Sequence, residues 1–367
     1  MIDLFKQLDL PKEKLHQKFV LLSKPMLTAE RNILASWAEG FVDRDNKIVR
    51  QFQTTFHSTF WELYLHKFFR DLDFTIDYSY ERPDFIVTLP EKIYIEAVVA
   101  NIKESGRKET TRNQDDFLDN LVPPHLQLDF DELRTEAIIR YSNAIQAKVA
   151  KMKAEYSTLS WVNINAPFII AVASYSQVNY GREYYYPMFA LLYGMFYDPT
   201  SKEYYRREEI LKPGSNAPVN VSLFDDPAMK DVSAIIFSCT VTIGKLTSLS
   251  KSLGNESTQT VLIIREEYDF PNYMLQDVSE ESQELHSDGL FVFHNPNARI
   301  KLSPDIFSGC CALQIMLNED GILQFVGNRE PMLIRLNIPS VRLPPDVKKI
   351  VIEGTFQAFN NIRLPGY

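Results

Sequence analysis

Three carboxylates in the first third of the sequence stand among large apolar residues: Glu62 in Trp61-Glu62-Leu63-Tyr64-Leu65, Asp84 in Arg82-Pro83-Asp84-Phe85, and Glu96 in Tyr94-Ile95-Glu96-Ala97-Val98. Taking an ionised carboxylate out of water without a partner costs several kcal/mol, so three such residues in one short segment point to a shared cation and a metal site. Taken singly, two of them have ordinary alternatives. Glu62 reads equally as a helical glutamate paired with a neighbouring Arg or Lys, and Asp84 after proline as a turn cap bonded to nearby amides. Glu96 is harder to explain that way, because a buried acid in the middle of a strand is uncommon.

The elements around these residues decide whether they can meet. Val49, Phe52, Phe56, Phe60, Leu63, Tyr64 and Phe68 recur in steps of three or four and predict one face of a long helix. Trp61, Leu65 and Phe69 add apolar residues off that face, so Glu62 sits in a helix buried on most sides. Phe74, Ile76, Tyr78 and Tyr80 alternate with polar residues, as in a half-buried strand. The runs Phe85 to Leu89 and Ile93 to Val99, separated by Pro90-Glu91-Lys92, read as a hairpin. With the turn centred on Glu91, residue 86 faces 96 and residue 84 faces 98. Asp84 and Glu96 then become diagonal neighbours on one face, about 7–8 Å apart at the backbone and within reach of one divalent ion. A slip of one residue would send one of them to the other face.

A second long helix is expected from Glu132 to about Tyr156, with Leu133, Ala137, Tyr141, Ile145, Val149 and Met152 as its stripe. Pro167 to Ala173 reads as a buried strand. Beyond it, Tyr184-Tyr185-Tyr186-Pro187 opens an apolar helix expected to end near Tyr197, residues 198–218 read as an exposed connection, and Ala234 to Phe237 as a core strand. Short runs at Leu290 to Phe293, Leu323 to Val326, Met332 to Ile338 and Ile350 to Ile352 alternate with turn signals. The tyrosines between Tyr180 and Tyr205 could stack bases or fill core. His294-Asn295-Pro296-Asn297-Ala298 could supply a general base and amides, or only a turn.

Composition bounds these readings. The chain has 367 residues, 45% of them apolar, and a formal charge of −9, so it carries no strongly basic field over the whole molecule. Three regions are expected: an N-terminal helical extension over 1–48, a core over 49–175, and a C-terminal α+β extension over 176–367, packed on or completing the core. Cys239, Cys310 and Cys311 have no paired spacing, which argues against a zinc ribbon or a disulfide framework. The N-terminal residues lack a leader pattern and no apolar run reaches the roughly 20 residues of a membrane span, so the expectation is a cytoplasmic protein that does not contact membranes. The sequence leaves the oligomeric state open.

The order helix, three strands, helix, strand, with these acids placed on it, resembles the PD-(D/E)XK nuclease superfamily over residues 49–175. That resemblance implies an α/β, restriction-endonuclease-like core of a mixed sheet flanked by helices. It implies divalent-metal-dependent hydrolysis of phosphodiesters in DNA or RNA, with Mg²⁺ or Mn²⁺ held by Glu62, Asp84 and Glu96, in bacterial defence or nucleic-acid turnover. Two residues past Glu96, where the family carries a lysine, this chain has Val98. Superfamily members are known in which the lysine comes from a neighbouring element. Lys148 is the candidate here, since it lies beside the apolar stripe of the second helix; Lys151 and Lys103 are alternatives. The chain also resembles a group of bacterial proteins of undefined activity that share Trp-Glu-Leu-Tyr, Arg-Pro-Asp-Phe, Ile-Glu-Ala and His-Asn-Pro-Asn-Ala. A catalytically degenerate nuclease fold, acting as a binding or interaction module, is the alternative that Val98 and the acidic charge favour.

Overall fold

The computed structural model describes residues 2–102, 106–107, 109–111, 123–175, 181–201, 203–266 and 273–339. Lys103 and the run Ile350 to Ile352 lie outside the described residues. The N-terminal segment forms helices α1 (Gln17–Leu22) and α2 (Thr28–Ala38). The stripe that predicts one long helix forms two, α3 (Ile48–Thr54) and α4 (His57–Asp71). The chain breaks at Phe56, whose φ is 54°. Just before it, the hydroxyls of Thr54 and Thr55 donate to the carbonyls of Arg50 and Gln51 at 2.9 and 3.0 Å. Such back-bonding by β-branched residues weakens a helix. Phe56 nevertheless stays buried against His16 and Phe60, so the apolar spacing survives while the helix does not.

The strand expected through Tyr80 is only β1 (Thr75–Ile76). Asp77 ends it, accepting the Ser79 N–H on its own carboxylate at 2.8 Å and so turning the chain. The hairpin follows as β2 (Phe85–Leu89) and β3 (Ile93–Ala100), but with a different register from the one expected. Phe85 pairs with Ile95, Ile86 with Tyr94 and Val87 with Ile93, which centres the turn on Pro90. Proline has no N–H to give a ladder, so it belongs at the turn's centre. Continuing the register by one position sets Asp84 opposite Glu96, not Val98. The change is an even number of residues, so both acids stay on one face.

Next come α5 (Phe130–Glu155), β4 (Phe168–Ser174) and α6 (Tyr186–Tyr193). The last ends four residues earlier than the expected Tyr197, because Gly194 takes a left-handed conformation (φ 69°) as its C-cap. The stretch expected to be an exposed connection instead holds two small hairpins, β5 (Met195–Asp198) with β6 (Glu203–Arg206) and β7 (Glu209–Leu211) with β8 (Pro218–Asn220). The remainder supplies β9 (Ala234–Ser238), α7 (Ile243–Ser252), β10 (Gln259–Glu266), β11 (Tyr273–Asp277), β12 (Phe291–His294), β13 (Leu313–Leu317), β14 (Leu323–Val326) and β15 (Met332–Pro339).

An eight-stranded mixed sheet in the order β1-β2-β3-β4-β9-β12-β13-β14 organises the molecule, with small extra sheets beside it. Strands β3, β4 and β9 run parallel to one another, and β12 runs parallel to β13. The sheet crosses residue 175, since four of its strands come from residues 234–326. Alternate side chains divide between two layers of core. Ile86, Tyr94, Ile170, Val172 and Ile235 meet Ala137, Tyr141, Ile145 and Val149 of α5 on one face. Phe85, Val87, Ile93, Ile95 and Ile169 meet Trp37, Phe60, Leu63 and Phe68 of α2 and α4 on the other. Among the described residues no helix is long and apolar enough to cross a membrane.

Candidate active site

Glu96 lies in the middle of β3 with its side chain fully buried on the face that α5 covers. The backbone N–H of Ala97 donates to Asp84 Oδ2 at 2.7 Å, so the aspartate takes a bond that a longer β2 would have made with its backbone. Arg44, from the chain ahead of α3, holds the approach to Asp84. Its guanidinium donates to the carbonyls of Tyr80, Pro83 (3.3 Å) and Asp84 (3.0 Å). Glu62 is half-buried on α4 in the opposite layer. The two layers communicate here because β2 stops at Phe85, leaving residues 96–100 of β3 without a β2 partner.

Lys148 on α5 reaches both acids of the hairpin. Its Nζ is 2.5 Å from Glu96 Oε2 and 3.9 Å from Asp84 Oδ2. One turn on, Lys151 Nζ donates to the two Glu96 oxygens at 3.2 and 3.4 Å, and the Tyr156 hydroxyl donates to Oε1. The helix supplies the two lysines, and its C-cap the tyrosine, because positions three and eight apart share one face. Lys148 is legible in the sequence as a cation beside the stripe, and Lys151 as an alternative to it. Tyr156 continues the spacing Lys148, Met152, Tyr156 and could have been found by it. No sequence pattern marks Arg44, whose carbonyl partners lie some forty residues away.

The charges are unevenly paired. Burial, then the Asp84 carboxylate, push Glu62 up to about 8, despite opposition from Lys148 and Arg44. Burial and Glu96 also raise Asp84 above the ordinary carboxylate range, against Lys148 and the Ala97 N–H. Glu96 goes the other way: burial would raise it, but Lys148, Tyr156 and Lys151 together hold it down. For Lys148, burial is outweighed by Asp84, Glu96 and Glu62, which keep it charged. Among the described residues Glu62 has no hydrogen-bond or ion-pair partner. A half-buried, unpaired acid beside a second raised acid is a place where an added cation lowers the energy.

Another group has closer donor atoms. His16, His57 and Glu109 bring theirs within 4.8 Å of one another, a spacing that Glu62, Asp84 and Glu96 do not reach. Two imidazoles and one carboxylate suit a transition-metal ion better than Mg²⁺. Nothing in the sequence spacing connects these three residues. Two contacts oppose a metal there. Lys18 already balances Glu109 with an ion pair of 3.1 Å, and His16 Nδ1 accepts the Lys18 N–H at 3.2 Å as the cap of α1. His57 completes the closure, its Nε2 being 3.0 Å from Glu109 Oε1.

The remaining candidates are structural. Tyr184, Tyr185, Tyr186 and Tyr193 are buried in the core beside α5, and among the described residues of the cluster only Tyr204 and Tyr205 are exposed; Tyr180 lies outside the described residues. His294 Nε2 meets Gln314 Oε1 at 2.9 Å, while Asn295 donates to the carbonyls of Met229 and Val232. These contacts hold a turn against the loop before β9. Comparison with protein-family models, curated proteins and solved structures finds no match to this chain.

Proposed function

We propose that the chain is a divalent-metal-dependent phosphodiester hydrolase of the PD-(D/E)XK kind, with a restriction-endonuclease-like core, acting on DNA or RNA. The observation that carries this reading is the reach of Lys148 to both Glu96 and Asp84 from a helix, where Val98 leaves the family's strand lysine absent. Asp84, Glu96 and Glu62 would hold Mg²⁺ or Mn²⁺, and the unpaired, raised carboxyl of Glu62 fits that task. Such an ion, once bound, supplies an activated water and offsets charge on the phosphate. Lys148 stays protonated beside the acids and offers a positive charge to the phosphate oxygens. Arg44 and the Ala97 N–H keep Asp84 oriented.

The test is cleavage of plasmid DNA and of labelled RNA with Mg²⁺ or Mn²⁺. Asp84→Asn and Glu96→Gln are expected to bring metal-dependent cleavage to background while the melting profile stays cooperative. Cleavage by both variants at the wild-type rate would remove the catalytic assignment. A binding or interaction module is the second reading, favoured by the closure of Glu96 with Lys148, Lys151 and Tyr156. Calorimetry with Mn²⁺ separates the two: heat of binding that disappears in Asp84→Asn supports the hydrolase, and its absence in the wild type supports the module.

A further inference from the structure

A pocket of about 460 Å³ adjoins the acid cluster and shares two of its residues. Pro83, next to Asp84, and Tyr156, which donates to Glu96, both line it. Its floor is apolar and ring-rich, formed by the buried Tyr94, Met152 and Phe168 along with Tyr156. The exposed Lys153, Lys230 and Arg299 stand at its mouth with Asp231, which pairs with Arg299 at 2.9 Å, so the mouth keeps a net positive charge from its lysines. Lys230 has no ion-pair partner among the described residues. Outside the pocket, Tyr80 is stacked on Trp161 at 4.0 Å between ring centroids, and Trp161 meets Tyr94 edge-on at 6.2 Å. Aromatic rings therefore lead from the surface to the pocket floor.

The size is that of a small-molecule site, and an apolar body with a few polar groups at the rim is the usual form of one. An occupant seated beside the acid cluster, on an apolar ring-lined floor and under lysines at the mouth, needs a flat, largely apolar part and an anionic part. A nucleotide has both, its base meeting the aromatic floor and its phosphates the cations. We infer that this pocket receives one unstacked nucleobase of the nucleic acid whose phosphodiester lies at the acid cluster. The inference rests on the hydrolase reading and narrows its substrate class to strands with an accessible base: single strands, ends or distorted duplexes. Paired and stacked bases in continuous duplex present no ring to such a pocket.

Binding without catalysis tests it. Thymidine 5′-monophosphate and deoxyribose 5-phosphate are titrated by calorimetry into the full chain in EDTA, so that no divalent metal takes part. The mononucleotide is expected to bind about tenfold or more tightly than the sugar phosphate, the gain coming from the base. Ala166→Trp, which fills the pocket from its wall, is expected to reduce mononucleotide binding about tenfold with an unchanged melting profile. Lys230→Glu, at an exposed position that cannot unfold the chain, is expected to weaken both ligands alike. Equal binding of the two ligands, no binding of the mononucleotide, or binding unaffected by both variants overturns the pocket assignment. Mononucleotide binding that follows these expectations in a wild-type chain that cleaves nothing upholds the pocket and removes the hydrolase.

Discussion

Two regions of this protein bury charge in opposite ways. Around Glu284 and Asp288 the cations are in excess and every acid is closed. Lys245 donates to Glu284 at 2.7 Å and to the carbonyls of Asp288 and Leu285, while Arg335 grips both Glu284 oxygens and the Thr240 carbonyl. Arg265 and Arg329 converge on Asp288 in the same manner. Glu284 is accordingly held down to about 2, burial being overcome by Arg335 and Lys245. Around Glu96 the cations Lys148, Lys151 and Arg44 equal the three acids in number, but the two lysines converge on Glu96 and Arg44 on backbone carbonyls, and Glu62 and Asp84 are pushed up instead. Surplus buried cations can be absorbed by backbone carbonyls, which are abundant. Carboxylates left unpaired find few free N–H groups in a finished sheet, so burial raises them.

The sharpest way to break the comparison is to remove one acid from each region. Glu284→Ala leaves Lys245 and Arg335 buried without their counter-charge and is expected to destabilise the fold by about 3–5 kcal/mol. Glu62→Ala is expected to stay within about 1 kcal/mol of the wild type, because the lost group has no hydrogen-bond or ion-pair partner among the described residues. Urea unfolding of both variants measures this, and equal losses would erase the distinction.

A third buried acid sharpens it. Glu266 on β10 is pushed up to about 7 by burial, with only the Tyr185 hydroxyl, at 2.9 Å, opposing. A folded value above the ordinary 4.5 means that the protonated form is favoured on folding. Its stabilising contribution is therefore full below about 4.5 and lost as pH rises through about 7. Glu266→Gln is expected to remove this loss and to gain up to about 3 kcal/mol over the wild type at pH 8, with little difference at pH 4. Unfolding curves at the two pH values decide it. The last variant acts on the site itself. Lys148→Met is expected to lower cleavage about a hundredfold with the fold retained, and Lys148→Arg to restore part of it. A Lys148→Met variant as active as the wild type would make this lysine a structural counter-charge, as Lys245 is.

Local spacing accounts for what could be read in advance. The second helix, the buried strand that follows it and the core strand at Ala234 all carry patterns set by their own residues. So does the placement of Lys148 beside the stripe that faces the sheet. The hairpin shows how far such reasoning extends. Its turn was misplaced, yet Asp84 and Glu96 still share a face, because side chains alternate with period two and the error was even. The break at Phe56 escaped the same reasoning, since a buried stripe requires only that apolar residues return at the right spacing, whether or not the helix between them is continuous.

By itself the sequence determined the kinds of element, the parity that joins Asp84 to Glu96, and the presence of a lysine able to approach them. Tertiary structure alone decided that Lys148 does reach them, that Lys151, Tyr156 and Arg44 complete their surroundings, and that Glu62 is left without a hydrogen-bond or ion-pair partner among the described residues. It also decided that four strands from the second half of the chain extend the sheet. The reason is physical: periodicity records which face of an element is buried, whereas charge balance depends on which residues the fold brings within a few ångströms, and sequence separation carries no record of that.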